Sequence, residues 1–87
     1  MDIQATMLSD ELITLDRLPA GRGGRITRLD MKPADSQRLM EMGLTVGARV
    51  QVIKLAPLGD PLEIVVRGSH LSVRRSAARS IVVDPQG

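Results

Sequence analysis

The residue with the widest chemical range is the single histidine, His70. Nucleophilic catalysis needs a nucleophile, a base and a group that orients the base. With one imidazole and no cysteine, only one such triad could be drawn. Gly68-Ser69-His70-Leu71 carries no signature for it, so His70 is expected at a surface or strand end. The carboxylates are as sparse. Asp60 and Glu63 flank a loop and Glu41 lies elsewhere, and no spacing forces two together as acid–base work would require. No loop gathers the several oxygen ligands of a hard cation. Gly21-Arg22-Gly23-Gly24 looks like a phosphate loop only superficially. It lacks the Gly-Lys-Ser/Thr ending and the helix directly after it. The expectation is a non-enzymatic chain with no catalytic residue, no metal site and no cofactor.

Composition closes further classes. Without cysteine there is neither a disulfide scaffold nor a thiolate metal site. Phe, Tyr and Trp are all absent, so Leu, Ile, Val and Met must build the core alone. A single-stranded nucleic-acid binder would lack its stacking platforms. Ten of the twelve basic residues are arginine, yet ten acidic residues bring the net charge to only +2. A solvated surface of mixed charge is expected, with an acidic or phosphate-bearing partner as the alternative. Apolar runs such as Ile64–Val66 and Ile81–Val83 fall far below the ~20 residues that cross a bilayer. The opening residues have no basic n-region followed by an apolar stretch, so no signal peptide and a cytoplasmic location are expected. A chain of 87 residues is long enough for one domain and too short for two.

The elements that would position any functional group follow from periodicity and punctuation. Residues 1–11 form an expected tail, 12–84 a domain and 85–87 a second short tail. Leu12 to Leu18 is expected as a strand. The stretch from Pro19 to Gly24, with Gly21 and Gly24, is expected to turn it into a hairpin with Arg25–Leu29. One helix follows, with Pro33 in its first turn and Asp35 or Ser36 able to cap it or to favour its N-terminal dipole. Gly43 and then Leu44 have the sequence form of a Schellman stop, which places Leu39, Met42 and Leu44 together. Gly47 turns the chain into a strand over Arg49–Leu55. There the adjacent Val52 and Ile53 break the alternation and predict a bulge. Pro57-Leu58-Gly59-Asp60-Pro61 is a rigid loop, Leu62–Arg67 the return strand, and Gly68 the next turn. His70–Arg74 makes a strand, Ser76–Arg79 a single helical turn, and Ile81–Val83 a last strand. Five or six short strands and one helix leave no room for parallel crossovers. The expected class is all-β with one short helix, a small antiparallel barrel of five or six strands, first of the SH3-like type and second of the OB type.

Two features exceed what the fold needs. A helix this narrow cannot turn Leu39, Met40, Met42 and Leu44 toward one sheet. One or two should stay exposed, and methionine adapts well to interaction surfaces. The second is the loop containing Pro57, Leu58 and Asp60, where two prolines lower the entropy lost on ordering. These seven residues are the candidate partner-binding set.

The same residues carry a family pattern. Leu15-x-x-Leu18-x-x-Gly21-x-x-Gly24-x-Ile26 is followed by Arg38-Leu39-x-x-Met42-Gly43-Leu44-x-x-Gly47-x-x-Val50-x-Val52. Pro57-Leu58-Gly59-Asp60-Pro61-Leu62 comes next, then Gly68, Leu71, Arg74, Ala77 and Ile81-x-Val83. This order resembles the FeoA family from about Leu12 to Asp84. It departs at Met42, where the family often has Leu, and at Ser76, where an acidic residue is common. The resemblance implies an SH3-like barrel that serves bacterial ferrous-iron uptake by acting on the FeoB transporter, a membrane protein with a cytoplasmic GTPase domain. The expected partner is therefore the cytoplasmic face of a FeoB-type transporter. Neither nucleic acid nor direct membrane insertion is expected, and homo-oligomers through exposed strand edges remain open. The alternative is a stand-alone domain related to the C-termini of metal-dependent repressors, acting by protein contact. Arg38 is expected to pair with Asp35 or Glu41 on its own helix, with a carboxylate of the partner as the alternative.

Overall fold

A computed structural model describes residues 11–87; the expected N-terminal tail, apart from its last residue, lies outside the described residues. The chain runs β1 (Ile13–Thr14), a 3-10 turn (Leu15–Arg17), β2 (Gly23–Leu29), α1 (Pro33–Glu41), β3 (Arg49–Leu55), β4 (Leu62–Val66), β5 (Ser69–Val73), α2 (Arg75–Ala78) and β6 (Ile81–Asp84). All described pairings are antiparallel, and the six strands form one sheet in the order β1-β6-β2-β3-β4-β5. The expected small all-β fold of SH3-like type is present, with the ladder left open between β1 and β5.

Alternation decides which side chains meet. β4 is the clearest case: Leu62, Ile64 and Val66 are buried while Glu63 and Val65 stand between them half-exposed. With Leu15, Ile26, Leu44, Val50, Val52, Ile81 and Val83 they make an entirely aliphatic core. Each such side chain contributes ~1.5–3 kcal/mol on burial. No polar side chain is buried among the described residues. The predicted bulge is in place, because the β3–β4 register shifts between Val52 and Lys54. Ile53 is the extra residue, turned out and 41% exposed.

Three expectations are corrected. Leu12–Leu18 is not a strand hairpinned to β2. Only Ile13 and Thr14 are extended, and they pair with Val83 and Val82 of β6. The Thr14 hydroxyl donates to Asp16 Oδ1 at 2.5 Å and Leu18 N–H closes on Leu15 O at 3.1 Å. Such local bonds offer the backbone an alternative to a ladder. Both sides of β2 are already taken, by β3 and β6. Gly24 is not a turn residue either. It lies within β2, where a Cβ would sit 2.7 Å from Asp84 O, so its bare Cα admits β6. The turn belongs to Gly21 (φ +89), whose N–H reaches Val52 O at 2.7 Å. Finally, neither Asp35 nor Ser36 caps α1: Lys32 holds that position without a side-chain bond and Ser36 Oγ donates to Pro33 O, while Asp35 falls in the first turn, where its charge favours the helix dipole as expected.

Candidate partner-binding site

The end of α1 is built as its sequence predicts. Gly43 adopts φ +101, its N–H donates to Met40 O at 3.0 Å, and Leu44 N–H donates to Leu39 O at 3.0 Å. These are the two bonds of a Schellman stop. They roll Leu44 inward to complete burial and leave Leu39 only 9% exposed. Met40 and Met42 are left outside, each about two-fifths exposed. Of the four candidate residues here, Leu39 and Leu44 therefore belong to the core and hold the two methionines at the surface. Val46, in the turn that Gly47 (φ +94) closes, is a further exposed apolar side chain, at 62%. It was not singled out because a lone valine between turn residues carries no periodic signal.

The second candidate element is the β3–β4 loop. Gly59 (φ +83) bonds back to Ala56 O at 2.7 Å, Ala56 N–H reaches Pro61 O at 3.2 Å, and the Asp60–Pro61 bond is cis. Leu58 projects from the tip, 95% exposed, and Pro57 beside it is exposed. Asp60 has a different role. Its Oδ1 accepts the Arg75 backbone N–H at 2.9 Å, at the first turn of α2. Arg75 then donates from Nε to Gly59 O at 2.9 Å and from Nη1 to Asp16 O at 3.3 Å, and its Nη1 stands 3.7 Å from Asp16 Oδ2. One arginine thus ties the loop to α2 and to the 3-10 turn. Sequence spacing held no sign of this, because its partners lie 16 and 59 residues away.

The helix end and the loop do not form one patch. A Cβ at Gly43 would touch Val66 Cγ1 at 3.8 Å, at the far end of β4, whereas the loop feeds directly into Leu62 at its start. Four residue steps at ~3.3 Å put roughly 13 Å between the two ends. The chain offers two separate apolar contacts.

Charged groups around them are plain. Arg28 Nε bonds Asp30 Oδ1 at 2.6 Å, and this hydrogen bond holds the Asp30 carboxyl below its ordinary 3.8. Both residues are solvent-exposed and lie on β2 and just after it. Arg38 makes no ion pair with Asp35 or Glu41 among the described residues, contrary to expectation. His70 stands exposed on β5, opposite Val65. No group of three or more His, Cys, Asp or Glu side chains that could hold a metal occurs among the described residues. No described helix is long and apolar enough to cross a membrane.

This architecture, six antiparallel strands and a helix stopped by Gly43 and Leu44, defines a small SH3-like domain. The FeoA domain model matches residues 13–85, and the chain belongs to the FeoA family, whose role is ferrous-iron transport. It is 31% identical over 70 residues to the Fe(2+) transport protein A/Fe(2+) transporter FeoB fusion protein of Porphyromonas gingivalis. That match covers 80% of this chain and 8% of the fusion protein, so the chain spans only a small part of the curated relative. The solution structure of the FeoA protein of Chlorobium tepidum is 40% identical with a TM-score of 0.76, covering 82% of this chain and 69% of that one. A crystal structure of Stenotrophomonas maltophilia FeoA, described as a procaryotic SH3 domain protein complexed with zinc, is 30% identical with a TM-score of 0.70 over 83% and 89% of the two chains. A manganese-dependent transcriptional repressor shares the fold at a TM-score of 0.75, over 85% of this chain and 41% of that one. At 17% identity that likeness is one of fold alone.

Proposed function

We propose that this chain is a non-enzymatic accessory domain of ferrous-iron uptake that docks on the cytoplasmic part of a FeoB-type GTPase transporter. One observation carries the reading: in the P. gingivalis relative, a segment similar to this chain is joined to FeoB in one polypeptide. Fusion replaces a bimolecular encounter by a high effective concentration, which is useful where two parts must meet. The apolar contacts would be Met40 and Met42 at the helix end and Leu58, with Pro57, at the loop. Leu39, Leu44 and Asp60 serve by holding those side chains outward. The chemistry of nucleotide turnover then belongs to the partner.

The test is binding of the purified chain to the separately expressed cytoplasmic part of such a transporter, by calorimetry or a pull-down with both proteins pure. Met40→Asp and Leu58→Asp place a charge where an apolar contact is required. Each is expected to weaken binding about tenfold or more while the melting temperature stays within a few degrees. Unchanged affinity in both folded variants would show that the contact lies elsewhere.

A further inference from the structure

Three arginines far apart in the chain stand side by side on the outer face of the sheet. Arg25 is the register partner of Arg49. Arg67 follows Val66, the partner of Val50, in the β4–β5 turn, and it lines a groove together with Arg49. Neighbouring strands lie ~4.8 Å apart, which sets the spacing of Arg25 and Arg49. The next row, Gly23, Gln51, Val65 and His70, carries no carboxylate. Asp84 is the one acidic register partner of the arginine row, opposite Arg25, and its Oδ1 accepts the Gln86 N–H at 2.9 Å. Gly21, Gly23, Arg49, Gln51, Val65 and Arg67 line a shallow groove on this face.

Like charges directly opposite one another weaken a sheet. Arg67 also adopts φ 51 in the β4–β5 turn, a left-handed conformation that Asn, Asp or Gly would take at lower cost. The side chains are nonetheless oriented. Arg25 Nη1 donates to Gly47 O at 2.8 Å, Arg67 Nη2 to Thr45 Oγ1 at 2.8 Å, and Arg49 Nη1 to the main-chain oxygen of Gly87, which also lies against the Arg25 side chain and would have to move aside for a ligand. Among the described residues none of the three meets an Asp or Glu side chain. Each guanidinium has five N–H donors, so most remain for an incoming anion. The bonds of Arg25 and Arg67 fall on either side of Val46, the 62% exposed residue of the α1–β3 turn.

We propose that Arg25, Arg49 and Arg67, with Val46 between two of them, form a docking surface for an acidic polypeptide segment that also carries an apolar side chain. Arginine's planar fork accepts a carboxylate through two bonds at once. At Gly23 a Cβ would lie 2.7 Å from Val50 O, so the bare Cα lets β3 approach closely beneath the groove. Nucleic acid fits less well, since the chain has no aromatic side chain for base stacking and a net charge of only +2. A flat lipid surface would not use a groove. The surface deepens the docking role proposed above and rests on it only for the partner's identity.

Anisotropy of a short fluorescein-labelled peptide, Glu-Leu-Glu-Glu-Leu-Glu, titrated with the whole chain is the direct test. Binding is expected that weakens as salt rises and vanishes when Gln replaces Glu in the peptide. The triple variant R25Q/R49Q/R67Q should lose about tenfold or more in affinity, and Val46→Asp should lose as well. R17Q/R74Q/R79Q, which removes the same charge from exposed arginines elsewhere, should bind as the parent does. Absence of binding, or an equal loss in both triple variants, overturns the proposal. So does tighter, Arg25/Arg49/Arg67-dependent binding to a DNA oligonucleotide or to phosphatidylcholine vesicles containing phosphatidylserine. Repeating the comparison with the transporter's cytoplasmic part separates the two readings. If the transporter binds and R25Q/R49Q/R67Q leaves that affinity unchanged, the surface fails as the transporter contact and the docking role stands. If the peptide binds and the transporter fails to bind the parent chain, the docking role fails and the surface stands.

Discussion

Leu44 is wholly buried and Leu58 is 95% exposed, so truncating each to alanine separates what holds this domain together from what it presents. Leu44→Ala removes the side chain that closes the Schellman stop and opens a cavity beneath it. A loss of ~2–5 kcal/mol is expected, read as a drop in the urea midpoint at unchanged slope. Leu58→Ala should fall within ~0.5 kcal/mol of the parent. Asp30 offers a pH measurement of its own. Its carboxyl titrates below the ordinary 3.8 because Arg28 donates to its charged form. A depressed folded-state pKa gives a contribution that is present above the unfolded value and lost as pH falls through the folded one. Following the Asp30 side-chain carbon by NMR, Arg28→Gln should move the midpoint up toward 3.8. Both side chains are solvent-exposed, so little change in melting temperature near neutrality should accompany it.

At the scale of elements, the α1 stop, the bulge at Ile53 and the turns at Gly21, Gly43, Gly47, Gly59 and Gly68 were legible, because each depends on residues adjacent in sequence. All five glycines have positive φ. What could not be read was which element lies beside which. Leu12, Ile13, Leu15 and Leu18 announce apolar content but not that only two residues extend, nor that their partner is the last strand. Gly24 looked like part of a turn because a glycine needed for close approach and a glycine needed for positive φ are the same letter. Arg75 was invisible for a related reason: its bonds join elements that meet only in the fold. Its replacement is informative. Arg75→Gln should cost ~1–3 kcal/mol through the lost bonds to Gly59 and Asp16. Amide exchange at Gly59 should quicken more than exchange in β4, which keeps its ladder. Lysine should rescue little, since it lacks the planar fork that spans two acceptors.

Across the whole molecule, the aliphatic composition and the short, evenly spaced strands identified the all-β class, and the family pattern narrowed it to SH3-like. The candidate site was half legible. Which apolar residues outnumber the core could be counted along the helix, but which of them stay outside depends on packing, and Val46 emerged only with the fold. The cluster of Arg25, Arg49 and Arg67 was hidden entirely, since the β2–β3 register and the β4–β5 turn assemble it. The sheet order yields a sharp expectation at this scale. β6 lies between β1 and β2, and Ile81 and Val83 are fully buried. A chain ending at Ser80 should therefore lack cooperative thermal unfolding altogether, whereas one ending at Pro85 should keep it.

That interior place for the last strand also bears on how the protein is made. A ribosome delivers β1 and β2 before β6, and until β6 emerges the gap between them has no strand to fill it. The register pairs Ile13 with Val83 and Ile26 with Val83, contacts of high sequence separation that slow folding. The growing chain must carry its aliphatic β2, β3 and β4 unsealed until β6 has left the exit tunnel. Stability in this domain arrives all at once, after translation of its last strand.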